Sequence, residues 1–406
     1  MSNELLRRTP LYDAHRALGA RMMAFAGWEM PLWFRGILVE HRAVREGAGL
    51  FDISHMGRLL VEGPEAPAFL RRMLTRDVLR QEPGRAIYTL LLREDGGILD
   101  DLLVYRLPDG AQPDRFLLVT NAARAEADRL WLQEHKPKGN PPEAGGGLGT
   151  SGVQIRDRQE ETAMLALQGP QSPQYLREVV GQGVAVELKP FRCTEVPFNG
   201  ATLFIARTGY TGEDGFEIIL PASLGPQLWG SLLGLGGPEA RAGWASTGGP
   251  EVRAGWVPRE VQPCGLGARD SLRLEAAFLL YGQDMDATTN PFEAGLAWAL
   301  DLEDADFIGR EALLRAKAQG PQRLLVGLAA QERGILRGGC PVLHRGREVG
   351  RTTSGGPAPT LGVSIALAYV PTSLAKPGTE LAVDVRGRTV AVRVAPRPFY
   401  RRPASR

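Results

Sequence analysis

A chain of 406 residues with 43% hydrophobic and 23% charged residues has an ordinary globular composition and enough length for roughly two to four domains. Its formal net charge of +2, with no dense Lys/Arg block and no basic-aromatic stripe, excludes a surface dominated by nucleic-acid backbone contacts. The cysteines, Cys193, Cys264 and Cys340, lie far apart and the histidines, His15, His41, His55, His135 and His344, lack ligand spacing, so neither a disulfide framework nor a metal site is expected. The start, MSNELLRRTPLYDAH, has no apolar h-region, and no apolar run reaches membrane-spanning length. A cytoplasmic protein in a reducing, bacterium-like cell is the expectation.

Thr9-Pro10 opens a predicted helix through Leu11, His15, Leu18 and Met22. Phe25 to Phe34, FAGWEMPLWF, is too broken by Gly and Pro for one element and reads as a core-lining loop or a pocket wall. Glu40 to Ala48 reads as helix, Gly57 to Glu62 as strand, and Glu65 to Leu74 as a helix entered through Gly63-Pro64. Ile87 to Leu92 and Ile98 to Leu107 then form a predicted hairpin around Glu94-Asp95-Gly96-Gly97. On its second strand Leu99, Asp101, Leu103 and Tyr105 share one face, and Ile98, Asp100, Leu102, Val104 and Arg106 share the other. Acidic residues beside a Gly-Gly turn ordinarily bond their own backbone or face water. Here both faces are largely apolar, so at least one of the two aspartates of GGILDD sits in a partly dehydrated setting where an ionised carboxylate needs donors.

Arg115 to Thr120 is a further strand, and Asn121 stands where it passes to an Ala-rich helix, Ala122 to Glu134. Its side chain is there either as an N-cap or as a contact toward Asp101. The stretch 137–152 is a Gly/Pro-rich loop; its Gly147-x-Gly149-x-x-Gly152 spacing follows no strand and is not a dinucleotide fingerprint. A strand, Thr162 to Leu167, and a helix, Tyr175 to Val180, precede RTGYTGEDGFEIIL, Arg207 to Leu220. This is a tight glycine-rich path around Tyr210 that leads into a strand carrying Glu217 among apolar neighbours. Two copies with a period of twelve, GPEARAGW and GPEVRAGW between Gly237 and Trp256, read as a surface insertion made by local duplication. Gly265 to Gly282 reads as one helix with Arg269, Asp270 and Arg273 near its start. A cation in a first turn opposes the helix dipole, which marks Arg269 as a binding candidate, the alternative being an ion pair to Asp270 or Glu275. Phe307 to Lys317 is a further helix, and from Leu324 to Tyr400 short alternating strands predict a separate all-β domain behind a linker at Ala316 to Pro321.

Taken together, TPLYDAH, FAGWEMP, DISHMG, GGILDD, RTGYTGEDGFE, GLGARDSLRLEA, LLYGQDMD and the SGG of Ser354 with APTLG resemble, in order and over nearly the whole chain, the T protein of the glycine cleavage system. The Gly/Pro loop and the duplicated stretch fall outside that resemblance. It implies an α+β, three-domain cloverleaf around a central folate-binding hole, with an all-β, jelly-roll-like C-terminal domain at 321–406. The first 320 residues would hold two interleaved α+β domains, one centred on about 55–136. It further implies an aminomethyltransferase of glycine catabolism that takes its one-carbon unit from the lipoyl arm of H protein, meets the P and L proteins only indirectly, and uses tetrahydrofolate as co-substrate with no metal, flavin or pyridoxal phosphate. Carried over by motif, Asp101 is the catalytic carboxyl near the folate amines, Glu217 a pterin ligand and Arg269 a substrate contact. Tyr400 is the C-terminal aromatic, and Met56, Leu60, Tyr88, Tyr105, Asn121, Tyr210 and Trp298 are further binding or wall residues. Phe278 stands where relatives can carry Tyr. Two other groups of folate proteins resemble this chain less: iron–sulfur assembly factors of the same fold carry a Lys-Gly-Cys-Tyr pattern where this chain has Arg207-Thr208-Gly209-Tyr210, and folate-dependent demethylases are usually fused to a flavin domain.

Overall fold

The computed structural model describes residues 6–108, 114–137, 152–181, 187–234 and 261–403. The expectations for the duplicated stretch and for nearly all of the Gly/Pro loop therefore lie outside the described residues. Two sheets and a barrel carry the molecule. A five-stranded sheet runs in the order β5-β6-β7-β4-β8, built from β4 (Gly57–Glu62), β5 (Arg85–Leu92), β6 (Ile98–Arg106), β7 (Arg115–Thr120) and β8 (Gln154–Asp157). A six-stranded sheet follows the order β10-β11-β12-β9-β3-β13, from β3 (Gly49–Asp52), β9 (Thr162–Gln168), β10 (Cys193–Phe198), β11 (Ala201–Ala206), β12 (Gly215–Pro221) and β13 (Gln262–Cys264). Only its β13–β3 edge is parallel.

The apolar pattern fixes how these layers stack. Strand β9 is buried along its whole length, as a strand covered on both faces must be. Leu165 and Leu167 enter a core with Leu11 and Trp229, beneath α1 (Tyr12–Ala17), α5 (Ser172–Val180) and α6 (Gly225–Leu232); Met164 and Ala166 enter a second core with Phe51, Leu60, Tyr105, Leu117 and Phe204. That second core lies between the two sheets. The opposite face of the five-stranded sheet, with Leu59, Val61, Leu102, Val104 and Phe116, packs on Leu70 of α3 (Ala66–Met73) and Leu132 of α4 (Ala125–Glu134). The helix α2 (Ile37–Glu46) and the helix α7 (Leu266–Glu275) complete the N-terminal region.

From Arg323 onward the chain closes into a barrel of order β14-β17-β16-β15-β18-β19, comprising β14 (Arg323–Ala330), β15 (Pro341–His344), β16 (Arg347–Ala358), β17 (Val363–Pro371), β18 (Glu380–Val385) and β19 (Arg388–Ala395). The barrel is joined to the rest through α7. Arg273, 1% exposed, reaches Asp284 at 2.8 Å and Ser354 of β16 at 2.8 Å, while Glu275 holds Arg45 at 2.9 Å, His41 at 3.2 Å and the Thr360 amide at 2.8 Å.

Three local readings of the sequence are corrected. The first helix stops at Ala17 rather than continuing to Met22, because Arg21–Phe25 (β1) pairs with Trp28–Trp33 (β2) in a hairpin across Ala26 and Gly27, both at positive φ. The aromatic segment is thus half of that hairpin and not a loop. The helix entered at Gly265 ends at Glu275, ten residues in, where Ala277 takes φ of 56° and turns Phe278–Gly282 away. No glycine or proline marks that stop, so sequence punctuation does not reveal it.

Candidate functional site

The GGILDD hairpin has its turn enforced by packing. Gly96 sits at φ of 83°, and a Cβ on Gly97 would overlap the Ala287 carbonyl. Period-two alternation then sends the two following carboxyls to opposite faces of β6. Asp101 shares the inter-sheet face with Leu103 and Tyr105, whereas Asp100, fully buried, points to the helix face with Leu102 and Val104.

Two side chains, one from the sheet and one just beyond it, donate to the Asp101 carboxylate. Tyr88 of β5, the cross-strand partner of Leu103, donates its hydroxyl to Oδ2 at 3.0 Å. Asn121, just past β7, donates Nδ2 to Oδ1 at 2.9 Å. The same amide nitrogen lies 2.8 Å from Asp100 Oδ1, and the Asn121 backbone amide donates to Asp100 Oδ2 at 3.0 Å. The Asn121 side chain is therefore no N-cap; α4 starts after Arg124 without a side-chain cap. Burial, then the neighbouring Asp100, pushes the Asp101 carboxyl up to about 7 against the donors from Tyr88 and Asn121. Tyr88 is itself held well above the usual phenol range by burial and by Asp101.

Glu217 lies on the β12 face that looks toward the five-stranded sheet. Alternation puts Phe216 and Ile218 into the helix-covered core and Glu217 with Ile219 toward the five-stranded sheet. Its Oε2 accepts from Thr208 at 2.6 Å and from Tyr105 of β6 at 3.1 Å, and among the described residues no protein donor reaches Oε1. A buried carboxylate with one filled and one unfilled oxygen is a receptor for a paired N–H edge.

Arg269 supplies the positive charge. Neither ion pair open to it from sequence forms: Asp270 goes to Arg273 at 2.7 Å and Glu275 to Arg45 and His41. Among the described residues no carboxylate lies within ion-pair distance of its guanidinium, which rests over the Tyr210 ring at 4.8 Å. Tyr210 stacks in turn on Phe278 at 5.7 Å and donates its hydroxyl to the Leu279 carbonyl. Tyr88 stacks on Trp298 at 5.1 Å. Phe278 and Trp298 are 40% and 61% exposed, so each stack ends in an open aromatic face.

The remaining candidates divide. Leu60 and Met56 belong with Tyr105 to the inter-sheet cluster. Tyr400 does not join Asp101: Arg45 lies over its ring at 3.9 Å and its amide donates to the Glu275 carbonyl at 2.8 Å, at the junction of α2, α7 and the barrel. Two further residues bear on the site, of which sequence reasoning missed the second. His55 of DISHMG is 2% exposed with Nδ1 unpartnered among the described residues, and burial, then Arg269, drives its imidazole down to about 3, so it is neutral. Asp128 sits on α4 three residues after Ala125 and four before Leu132, an acid on the buried stripe; that spacing was the available signal. Among the described residues no group of His, Cys, Asp and Glu could hold a metal, and no helix is long and apolar enough to cross a membrane.

Comparison with known proteins assigns every part of this architecture. Residues 11–244 and 253–304 match the GCVT N-terminal domain family, and residues 323–401 match the glycine cleavage T-protein C-terminal barrel domain. The first match breaks at 245–252, within the duplicated stretch. An aminomethyltransferase of Prochlorococcus marinus (strain MIT 9303) is 46% identical over 98% of this chain and 99% of its own length. One from Symbiobacterium thermophilum is 43% identical over the full length of both. The crystal structure of glycine cleavage system aminomethyltransferase T from Bartonella henselae superposes with a TM-score of 0.83 at 38% identity, covering 98% of this chain and 99% of that one.

Proposed function

This chain belongs to the glycine cleavage T-protein family of aminomethyltransferases, and on that premise we propose that it moves the methylene carbon of an aminomethyl group from the lipoyl arm of an H protein to tetrahydrofolate. The products are ammonia, methylenetetrahydrofolate and the reduced arm. The observation that carries this reading is one coupled set of buried groups: Tyr210 lies under the Arg269 guanidinium and feels the charge of Asp101, and Arg269 feels Glu217, whose Oε1 takes no protein donor among the described residues, with aromatic stacks ending in Trp298 and Phe278 beside them.

The donor set fits a reduced folate. Glu217 presents an acceptor for the amino-pyrimidine edge of the pterin, the two stacks present ring faces, and Arg269 presents a fork of donors. Tetrahydrofolate supplies the two amines that take up the carbon. In balance, each amine gives up one N–H proton; one proton completes ammonia and the other the lipoyl thiol, as the carbon leaves nitrogen and sulfur. Asp101 is the residue placed to accept and return a proton, and its raised affinity for one suits a base working near neutrality. Tyr88 and Asn121 hold that carboxyl in one orientation. Bringing the carrier's carbon and the folate amines together is worth about 7–11 kcal/mol where alignment is good.

The test is a single-turnover assay with aminomethylated lipoyl carrier protein. One ammonia and one methylenetetrahydrofolate should form per carrier, and neither should form from free methylated amines such as sarcosine. Methylenetetrahydrofolate formed from sarcosine without the carrier, with glycine as the other product and an added two-electron acceptor reduced, would replace this reading with that of a demethylase.

A further inference from the structure

We propose that Asp128 is a positioning residue for the transfer: its carboxyl shares a single proton with that of Asp100, and this pair, acting through Asn121, sets the orientation of Asp101. The inference rests on Asp101 being the reacting carboxyl.

Its basis is an accounting of donors. Asp128 is 1% exposed, and among the described residues neither of its oxygens receives an N–H or O–H. Arg124 Nε, from the residue just before α4, stays 3.7 Å from Oδ1, an ion pair without a hydrogen bond. The group that Asp128 does meet is the carboxyl of Asp100: both are buried where the helix face of β6 meets α4, and each carboxyl acts on the other as a side-chain hydrogen-bonding neighbour. Two carboxyl oxygens can bond only with a proton between them. Asp100 in turn spends its other capacity on Asn121, taking the backbone amide at 3.0 Å and Nδ2 at 2.8 Å. The Nδ2 amide bridges onward to Asp101 Oδ1 at 2.9 Å. Asp128, Asp100, Asn121 and Asp101 thus form one chain that crosses β6 from the helix face to the site face.

The groups facing this chain come from several elements: Arg124 from α4, Asp101 from β6, Tyr88 from β5, and Tyr281 from the segment after α7. Tyr281 bonds the Ile98 carbonyl at 3.0 Å and has Arg124 over its ring at 5.5 Å. One cation against three carboxyls leaves the cluster overcharged unless it binds protons. Burial raises both Asp100 and Asp128; Asp128 pushes Asp100 further up, while the bond to Asp100 and the charge of Arg124 draw Asp128 back against its burial, to about 7. A raised carboxyl stabilises the fold fully below its unfolded value of 3.8, and that contribution is lost as pH rises toward about 7.

Two arms test the proposal. In the first, thermal melting of the full chain is followed from about pH 4 to about pH 7 for wild type and Asp128→Asn, which cannot bind the proton but keeps a donor for Asp100. The difference should move in favour of the variant as pH rises. A constant offset would overturn the shared proton. In the second arm, Asp128→Ala should lower single-turnover transfer by about ten- to a hundredfold at unchanged KM for tetrahydrofolate, Asp128→Asn should recover most of that loss, and both should move the midpoint of the pH–rate profile downward. An unmoved midpoint in Asp128→Asn would overturn the positioning role, and that variant suffices if Asp128→Ala does not fold. Failure of the proposed function reads out elsewhere, as undiminished turnover of Asp101→Asn.

Discussion

Asp101→Asn should cut single-turnover methylene transfer by about 10²–10⁴-fold while tetrahydrofolate affinity stays within a few-fold, as measured by rapid quench and by equilibrium binding. The substitution is nearly isosteric. Its oxygen can still accept from Asn121 while its Nδ2 takes the Oδ2 place and donates to the Tyr88 hydroxyl, so the sheet and the binding groups on β12 and α7 are left in place. What disappears is a carboxyl whose proton affinity lies near neutrality, on the face of β6 shared with Tyr105. Turnover close to wild type would remove Asp101 from the chemistry and leave it as a hydrogen-bonding fixture of β6.

Glu217→Gln should produce the opposite division. Thr208 and Tyr105 can donate to an amide oxygen as they donate to Oε2, so folding survives. The free end, however, would then offer N–H to an edge that itself donates. Losing a charge-assisted hydrogen bond and opposing two donors costs about 1.5–3 kcal/mol or more. At 1.4 kcal/mol per tenfold this predicts tetrahydrofolate binding weaker by at least about tenfold. The rate at saturating folate should fall much less. A folate dissociation constant equal to wild type would show that Glu217 serves only the buried bonds to Thr208 and Tyr105.

Much of this arrangement was legible in the residues. The alternation in β6 tells which aspartate goes to which face, and Glu217 stands out as an acid inside an apolar strand. Neither observation names a partner. Tyr105 and Glu217 are 112 residues apart, and their hydrogen bond exists because two sheets stack, which no local period encodes. The Asn121 side chain takes carboxylates instead of capping α4 because two buried acids nearby compete for its amide more strongly than a helix end open to water. The stop of α7 at Glu275 was hidden because Ala277 adopts a left-handed conformation that sequence assigns to glycine. Its consequence is functional: Phe278 leaves the helix line and covers Tyr210. Asp128 was visible on the buried stripe of α4, yet the Ala-rich helix around it drew no attention to a single acid.

The pH dependence of kcat/KM for the carrier-bound substrate, recorded for wild type and Asp101→Asn together, tests the central claim most directly. Burial and Asp100 raise the carboxyl of Asp101, so its proton-accepting form is present above about 7 and lost as pH falls through that value. The wild-type profile should therefore climb through a midpoint near 7, and Asp101→Asn should lack that limb. A flat wild-type profile between about pH 5 and pH 9, or the same limb in both proteins, would contradict the role assigned to Asp101.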